Sequence, residues 1–136
     1  MPVSDVAWVR KVYTTLVKHI DPKKIEMGVP TYGHAYKVTP RANGTFAYER
    51  MRSLTYAQAM ERKNMYSGTP PTRSVSGELM FYYTIPSGEF KGTYVAIISD
   101  AYAVRQKIEL AEMLGLRGVA LFALYGSNDP QLKHNL

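Results

Sequence analysis

The sequence contains one almost wholly apolar run, Gly118-Val119-Ala120-Leu121-Phe122-Ala123-Leu124. A continuous apolar run, in place of an alternating one, is typical of a strand covered on both faces, as in parallel sheets. A helix is predicted before it, because Val104, Ile108 and Ala111 recur at helical spacing. Ser99-Asp100 is the candidate N-cap of this helix, and Gly115 can end it in a left-handed turn. The C-terminal third therefore predicts a helix followed by a buried strand.

The N-terminal part repeats this order. Residues 5–20 predict a helix capped by Ser4 or Asp5. Its apolar stripe consists of Val9, Val12, Tyr13, Leu16 and Ile20. Asp21-Pro22 ends the helix, because the residue before a proline is disfavoured in helical geometry, and residues 24–30 predict a short strand. Two helix–strand units of this kind indicate an α/β fold.

The middle of the chain does not follow this order. Residues 45–48 predict a short strand, and residues 54–62 predict a short helix after Ser53. Residues 78–84 and 93–98 are rich in β-forming residues and predict a hairpin. We therefore expect three segments, 1–36, 37–98 and 99–136. Two parallel strands leave open sheet edges, so we expect further strands from a missing part of the chain, from the hairpin or from a second copy.

Composition limits the classes of function. The chain has 136 residues, 46% of them hydrophobic and 21% charged, which indicates one globular domain. The net charge of +6 comes from scattered Lys and Arg residues without a nucleic-acid motif, so we expect a solvated basic surface and no nucleic-acid partner. No run approaches the ~20 apolar residues of a membrane helix. No metal or cofactor is expected, because the chain has no cysteine, its three histidines are far apart, and no glycine loop cradles a phosphate.

Several segments resemble the family 18 glycoside hydrolases, the chitinase-like enzymes. One is Met27-Gly28-Val29-Pro30-Thr31-Tyr32-Gly33, which resembles the G-x-P-x-Y-G signature at that family's seventh strand. Another is Lys107-Ile108-Glu109-Leu110-Ala111 followed by Gly115-Leu116-Arg117-Gly118-Val119-Ala120-Leu121, which is similar to the family's last helix and eighth strand. Residues 76–100 resemble an insertion found in bacterial members of the chitinase and spore-cortex hydrolase type.

The resemblance implies a partial TIM (β/α)8 barrel with a small α+β insertion. Residues 1–36 would supply a barrel helix and the seventh strand, and residues 99–136 the last helix and the eighth strand. Residues 37–98 would form the insertion, which is one wall of a sugar-binding groove in the family. The site of such a barrel lies at the C-terminal ends of its strands.

The same resemblance implies the substrate-binding residues, which are Tyr32, His34, Tyr36, Phe122, Tyr125 and Asp129. Phe122 stands where members usually carry the tryptophan that forms the floor under the sugar, and a phenylalanine ring offers less area. Tyr36 stands where tryptophan is frequent, and His34 where arginine is frequent. Each position also has a purely structural interpretation, with Phe122 in the core and His34 in an exposed loop.

The family's catalytic motif, D-x-x-D-x-D-x-E, does not occur in this sequence. In that family its glutamate protonates the glycosidic oxygen and the substrate's own acetamide is the nucleophile. We therefore expect this chain alone to be inactive. Glu78 and Glu89 are not expected to form an acid pair, because Glu89 is expected in an exposed turn.

Three functions follow as hypotheses. The first is the C-terminal portion of a family 18-like hydrolase that acts on an N-acetylglucosamine polymer, either chitin or peptidoglycan. The second is a non-catalytic carbohydrate-binding module. The third is a structural fragment that associates with itself or with a missing N-terminal barrel half. The N-terminus lacks the pattern of a signal peptide; a secreted or cell-wall location is expected only if the parent enzyme carries an export signal upstream.

Overall fold

The computed structural model describes residues 2–122 and 129–132, and within these ranges it contains three α-helices and seven strands. In chain order they are α1 (Val6–Leu16), β1 (Glu26–Pro30), β2 (Gly33–Pro40), β3 (Phe46–Leu54), α2 (Tyr56–Met65), β4 (Thr72–Arg73), β5 (Leu79–Ile85), β6 (Gly92–Ile98), α3 (Ala101–Met113) and β7 (Gly118–Phe122). The strands form a parallel pair and a separate sheet of five. No helix in this part of the chain is long and apolar enough to cross a membrane.

The parallel pair consists of β1 and β7, which follow α1 and α3 respectively. Met27 lies opposite Val119, and Val29 lies opposite Leu121. These four side chains share one hydrophobic core with residues of both helices. The predicted α/β class, with two helix–strand units in this order, is confirmed.

The helix ends follow local capping rules. The carboxylate of Asp5 accepts the Trp8 backbone N–H at 2.9 Å and fixes the start of α1. This helix ends at Leu16 and not at residue 20, so Ile20 is 44% exposed and the prediction that it joins the apolar stripe is wrong. At the end of α3, Gly115 has a φ of +65°, which is the left-handed turn that the sequence predicted.

The five-stranded sheet is antiparallel and has the order β3-β2-β6-β5-β4. The predicted hairpin is confirmed as β5 and β6. Strand β2 was not predicted, and β3 is more than twice as long as the four residues expected at 45–48. Because β2 begins at Gly33, the sheet of the insertion begins before the predicted segment boundary at residue 36. The division into three segments otherwise stays a prediction.

The two faces of this sheet differ. Helix α2 covers one face, where Leu54, Ala59, Phe81 and Ile98 are buried in a common core. The opposite face carries a smaller apolar cluster that includes Tyr36, and no described helix packs on it. The uncovered face is therefore available to form one side of a groove.

Candidate functional site

Four aromatic side chains form a continuous row from the end of the parallel pair to the uncovered face of the five-stranded sheet. Phe122 and Tyr32 have ring centroids 6.1 Å apart. Tyr32 lies 5.5 Å from His34, and His34 lies 6.0 Å from Tyr36. All three contacts have edge-to-face geometry, which is a preferred arrangement of aromatic pairs. The structure thus brings together four of the six residues that the sequence predicted as substrate-binding.

Backbone hydrogen bonds hold this row in place. The Thr31 N–H donates to the Phe122 carbonyl at 2.8 Å, which keeps the ends of β1 and β7 side by side. The Ser99 N–H donates to the Tyr32 carbonyl at 3.3 Å and ties the start of the insertion to its exit. His34 and Tyr36 are two residues apart in β2 and therefore lie on the same face of the sheet.

Phe122 is the exposed end of the row, with 66% of its surface accessible. It lies on the face of the parallel pair that points away from the helices. Its neighbours there are small, because the pair of Gly28 with Ala120 lies two residues earlier along the strands and both residues are exposed. The alternative interpretation of Phe122 as a core residue is therefore wrong within the described chain. An apolar ring with a free face at a strand end is suited to pack against a sugar ring.

His34 is buried in β2, with 8% of its surface exposed, so the expectation of an exposed loop histidine is wrong. Its Nδ1 atom lies 3.3 Å from the Ser53 hydroxyl oxygen of β3. Burial, and secondarily the positive charge of Arg50, lower the pKa of His34 below 6.5. The imidazole is therefore neutral at physiological pH and acts as a packed, hydrogen-bonding ring between two tyrosines.

This environment predicts a measurable pH dependence. An NMR titration is expected to give His34 a midpoint below 6.5, and Arg50→Gln is expected to raise the midpoint while leaving it below 6.5, because burial is the larger cause. His34 has a higher pKa in the unfolded chain than in the folded chain, so as the pH falls the unfolded chain is protonated first. The stability that His34 contributes is therefore complete above pH 6.5 and is lost as the pH falls through the pKa of the folded chain. Arg41→Gln, a matched change in an exposed turn, should leave the midpoint unchanged. A His34 midpoint at or above 6.5 would contradict this account.

Tyr36 lies deeper in the groove face than Tyr32. It is 8% exposed and packs with Val95 and Ile97 of β6. Burial raises the pKa of its hydroxyl above 10. Tyr36 is therefore packed mainly within the sheet face, while Tyr32, which is half-buried, has more surface to offer a ligand.

The two remaining predicted residues do not extend the row. Tyr125 lies outside the described residues. Asp129 is 5% exposed, and both of its carboxylate oxygens are occupied by backbone donors. One oxygen accepts the Ala101 N–H at 2.7 Å, and the other accepts the Gln131 N–H at 3.0 Å. This geometry gives Asp129 a structural role in fixing the start of α3, so we do not include it in the proposed site.

The sequence analysis missed the residues of β3 that adjoin the row. Ser53 and Arg50 lie beside His34 and Tyr36 in the sheet register, although they are 19 and 14 residues away in sequence. Only the long-range pairing of β2 with β3 brings them close, and no local motif encodes that pairing. Ser53 was instead interpreted as the residue preceding a helix.

The described residues offer neither a metal site nor an accessible acid pair. No group of three or more candidate metal ligands occurs among them. Glu78 is completely buried, and its carboxylate accepts the N–H groups of Val3 and Ser4 at 3.1 and 3.0 Å. Glu89 is exposed at the other end of β5, about 20 Å away along a seven-residue strand. That separation is well beyond the 6.5–9.5 Å of an inverting glycosidase pair.

Comparisons with known proteins agree with this architecture. No protein-family model matches the chain. It is 25% identical over 123 residues to a protein described as the uncharacterized glycosylase YvbX of Bacillus subtilis strain 168, a match that covers 90% of this chain and 33% of the relative. The C-terminal domain of a protein assigned as a chitinase in Desulfitobacterium hafniense DCB-2 superposes with a TM-score of 0.76 and 25% identity, covering 98% of this chain and 39% of that one.

The spore cortex-lytic enzyme SleL of Bacillus megaterium QM B1551 superposes with a TM-score of 0.77 and 27% identity, covering 97% of this chain and 29% of that one. The chain thus spans between 29% and 39% of the length of these relatives. The predicted resemblance to the C-terminal part of chitinase-like and spore cortex-lytic glycosylases is confirmed.

Proposed function

We propose that this chain, which is similar to the C-terminal part of chitinase-like glycosylases, forms the wall and floor of a groove that binds N-acetylglucosamine polysaccharide. The uncovered face of the five-stranded sheet is the wall, and Phe122 is the floor. The substrate class is that of the chitinase and the cortex-lytic enzyme among the relatives. Chitin and peptidoglycan both contain this sugar.

The observation that carries the proposal is the aromatic row. Sugar rings have apolar faces that pack against aromatic side chains, while their hydroxyl and acetamide groups need nearby polar partners. The row supplies both, because Phe122 offers a free ring face and Tyr32 combines a ring with a hydroxyl. The row also joins the strand ends to the sheet face, so that a linear oligosaccharide can contact floor and wall together.

The proposal assigns no catalytic acid to this chain. The motif that carries the acid in the resembling family is absent from the sequence. Glu78 has a pKa raised by burial, which is a property of many catalytic acids. Its carboxylate is nevertheless sealed from solvent and held by backbone donors of the N-terminal segment, so no glycosidic oxygen can reach it.

The proposal is tested by titrating the chain with the N-acetylglucosamine hexamer, using NMR or calorimetry. We expect binding, and we expect Phe122→Ala to weaken it by about 1 kcal/mol, or roughly fivefold, because the stacking face is lost. Phe46→Ala is the matched control, since Phe46 is 53% exposed at the distant end of β3. Mass spectrometry of the same samples should find the hexamer intact.

Each outcome separates the functions under consideration. The groove proposal would be contradicted if the unaltered chain did not bind the hexamer, or if the two phenylalanine substitutions had equal effects on binding. Turnover of the hexamer would show that the chain supplies its own acid. Binding without turnover fits both a portion of a hydrolase and a stand-alone binding module. Concentration-dependent oligomers without sugar binding, seen by sedimentation velocity, would favour the structural fragment.

A further inference from the structure

A second concave surface lies on the face of the five-stranded sheet opposite to the aromatic row. It is a cleft of about 650 Å³ between β3, α2 and the β5–β6 turn, which is within the range of small-molecule sites. The residues used in the argument below are Arg52, Arg62, Tyr66, Tyr83, Phe90 and Tyr94. Ala35, which also lines it, alternates in β2 with His34 and Tyr36, so the cleft and the row are on opposite sides of the sheet.

One wall of the cleft is a stack of three tyrosines. The rings of Tyr66 and Tyr83 are 5.9 Å apart and inclined by 16°, and those of Tyr83 and Tyr94 are 5.3 Å apart and inclined by 12°. The Tyr94 hydroxyl donates to the Phe90 carbonyl at 2.6 Å, which ties the stack to the β5–β6 turn. Tyr83 and Tyr94 are almost fully buried, so the wall is preorganised, and the Phe90 ring beside it, 59% exposed, supplies the accessible apolar surface.

Two guanidinium groups reach this wall from different elements. Arg52 comes from β3 and Arg62 from α2, and both lie close enough to Tyr83 to oppose the upward effect of burial on its pKa. Neither guanidinium is within 4.0 Å of a carboxylate oxygen in the described chain, where the salt bridges are Arg73–Asp100 and Arg117–Glu26. Glu89 also lines the cleft and is exposed. Neither of the two guanidinium groups of the cleft is therefore engaged in an ion pair with a carboxylate of the described chain.

We propose that this cleft binds a carboxylate-bearing sugar, with the Arg52 and Arg62 guanidinium groups on the carboxylate and the tyrosine wall beside the ring. Guanidinium groups pair with carboxylates through two parallel hydrogen bonds, which fixes the orientation of the anion as well as its charge. Such a site is separate from the aromatic row, so it can succeed or fail independently of the groove proposal.

The test uses two sugars that differ in one group. N-acetylmuramic acid carries a lactyl carboxylate that N-acetylglucosamine lacks. In an NMR titration of the whole chain, N-acetylmuramic acid is expected to shift the resonances of Tyr83, Tyr94 and Arg62, whereas N-acetylglucosamine should leave them in place. The Arg52→Gln/Arg62→Gln double variant is expected to weaken the binding of the acidic sugar by about tenfold or more, because charge-assisted hydrogen bonds are lost.

Three controls make the result decisive. Arg10→Gln removes the same kind of charge from an exposed position in α1 and should leave the affinity unchanged. Arg62→Lys keeps the positive charge but removes the planar guanidinium group that forms two parallel hydrogen bonds, so it should weaken binding while the chain stays folded. Sodium lactate supplies the carboxylate without the ring. The proposal is overturned if N-acetylglucosamine or lactate binds the cleft as well as N-acetylmuramic acid does, if the double variant binds normally, or if no cleft resonance moves.

Discussion

Replacing Lys107 by methionine is expected to lower the free energy of unfolding by about 3 kcal/mol at pH 7, because the buried carboxylate of Glu78 loses its electrostatic interaction with the Lys107 ammonium. Lys107 is completely buried in α3, where its Nζ donates to the Ala103 carbonyl at 3.2 Å. Burial lowers its pKa, and the charge of Glu78 is the largest influence opposing that shift. Burial likewise raises the pKa of Glu78, and that shift is opposed first by the hydrogen bond from the Ser4 N–H and then by the charge of Lys107. Without the lysine, the buried carboxylate of Glu78 keeps its hydrogen bonds from the Val3 and Ser4 N–H groups but loses the positive charge that opposes the effect of burial on its pKa.

A double-mutant cycle distinguishes this cause from loss of packing. Glu78→Gln alone should also destabilise the fold, because it removes the largest of the negative charges that favour the Lys107 ammonium, ahead of Asp100 and Asp5, whereas Glu78→Gln/Lys107→Met should lose clearly less stability than the sum of the two single changes. The cost of Lys107→Met should shrink as the pH falls, since protonation of Glu78 removes the unpaired charge. Urea unfolding followed by circular dichroism measures all four proteins. Lys11→Met, at an exposed position in α1, is the control and should change the stability by less than about 0.5 kcal/mol.

The buried pair also shows what holds the elements of this fold together. Glu78 precedes β5, and its carboxylate binds the N–H groups of Val3 and Ser4, which lead into α1. Lys107 lies in α3, close enough for its charge to act on Glu78. The N-terminal segment, the five-stranded sheet and the last helix are therefore linked through one polar centre. The sequence marked neither residue for this role, because the charge interaction joins positions that are 29 residues apart.

Local signals in the sequence were sufficient for the helix–strand units. The apolar run at β7, the cap at Asp100 and the terminating Gly115 each act over a few residues, and all three are present in the structure. A local signal was also overlooked. Thr55 and Gln58 form a reciprocal capping box that starts α2, and this pattern is readable from sequence alone. The predicted helix start near residue 54 was therefore early by two residues.

Strands β2 and β3 show where local reasoning fails. Strand β3 contains glutamate, arginine and methionine, which are good helix formers, and nearly all its residues are exposed. Strand β3 forms because it pairs with β2. Strand β2 in turn pairs with β6 on its other side. The exposed charges suit an edge strand, because they discourage pairing with other chains. The aromatic row was predicted as separate residues, and its continuity follows only from these pairings.

Gly33→Ala is expected to destabilise the protein by about 3 kcal/mol, as a severe case of overpacking. Gly33 separates Tyr32 from His34 and lies opposite Ile98 where β2 meets β6. A Cβ atom there would overlap the Ile97 carbonyl oxygen and the Ile98 side chain, and it would lie 2.7 Å from the Ile98 Cα. The expected destabilisation comes from steric overlap and not from backbone strain, because Gly33 is not among the glycines with a positive φ. Since two of these contacts are with backbone, β2 must move away from β6.

The matched control is Gly28→Ala, because a Cβ at Gly28 in β1 meets no atom within 4 Å. We expect that variant to stay within about 0.5 kcal/mol of the unaltered chain. Urea unfolding of both variants measures the difference, and the ring resonances of Tyr32 and His34 should shift in Gly33→Ala and stay in place in Gly28→Ala. A displaced β2 carries His34 and Tyr36 away from Phe122, so binding of the N-acetylglucosamine hexamer should fall as well. Equal stability of the two variants would mean that the close approach of β2 to β6 at Gly33 does not constrain the position of the aromatic row.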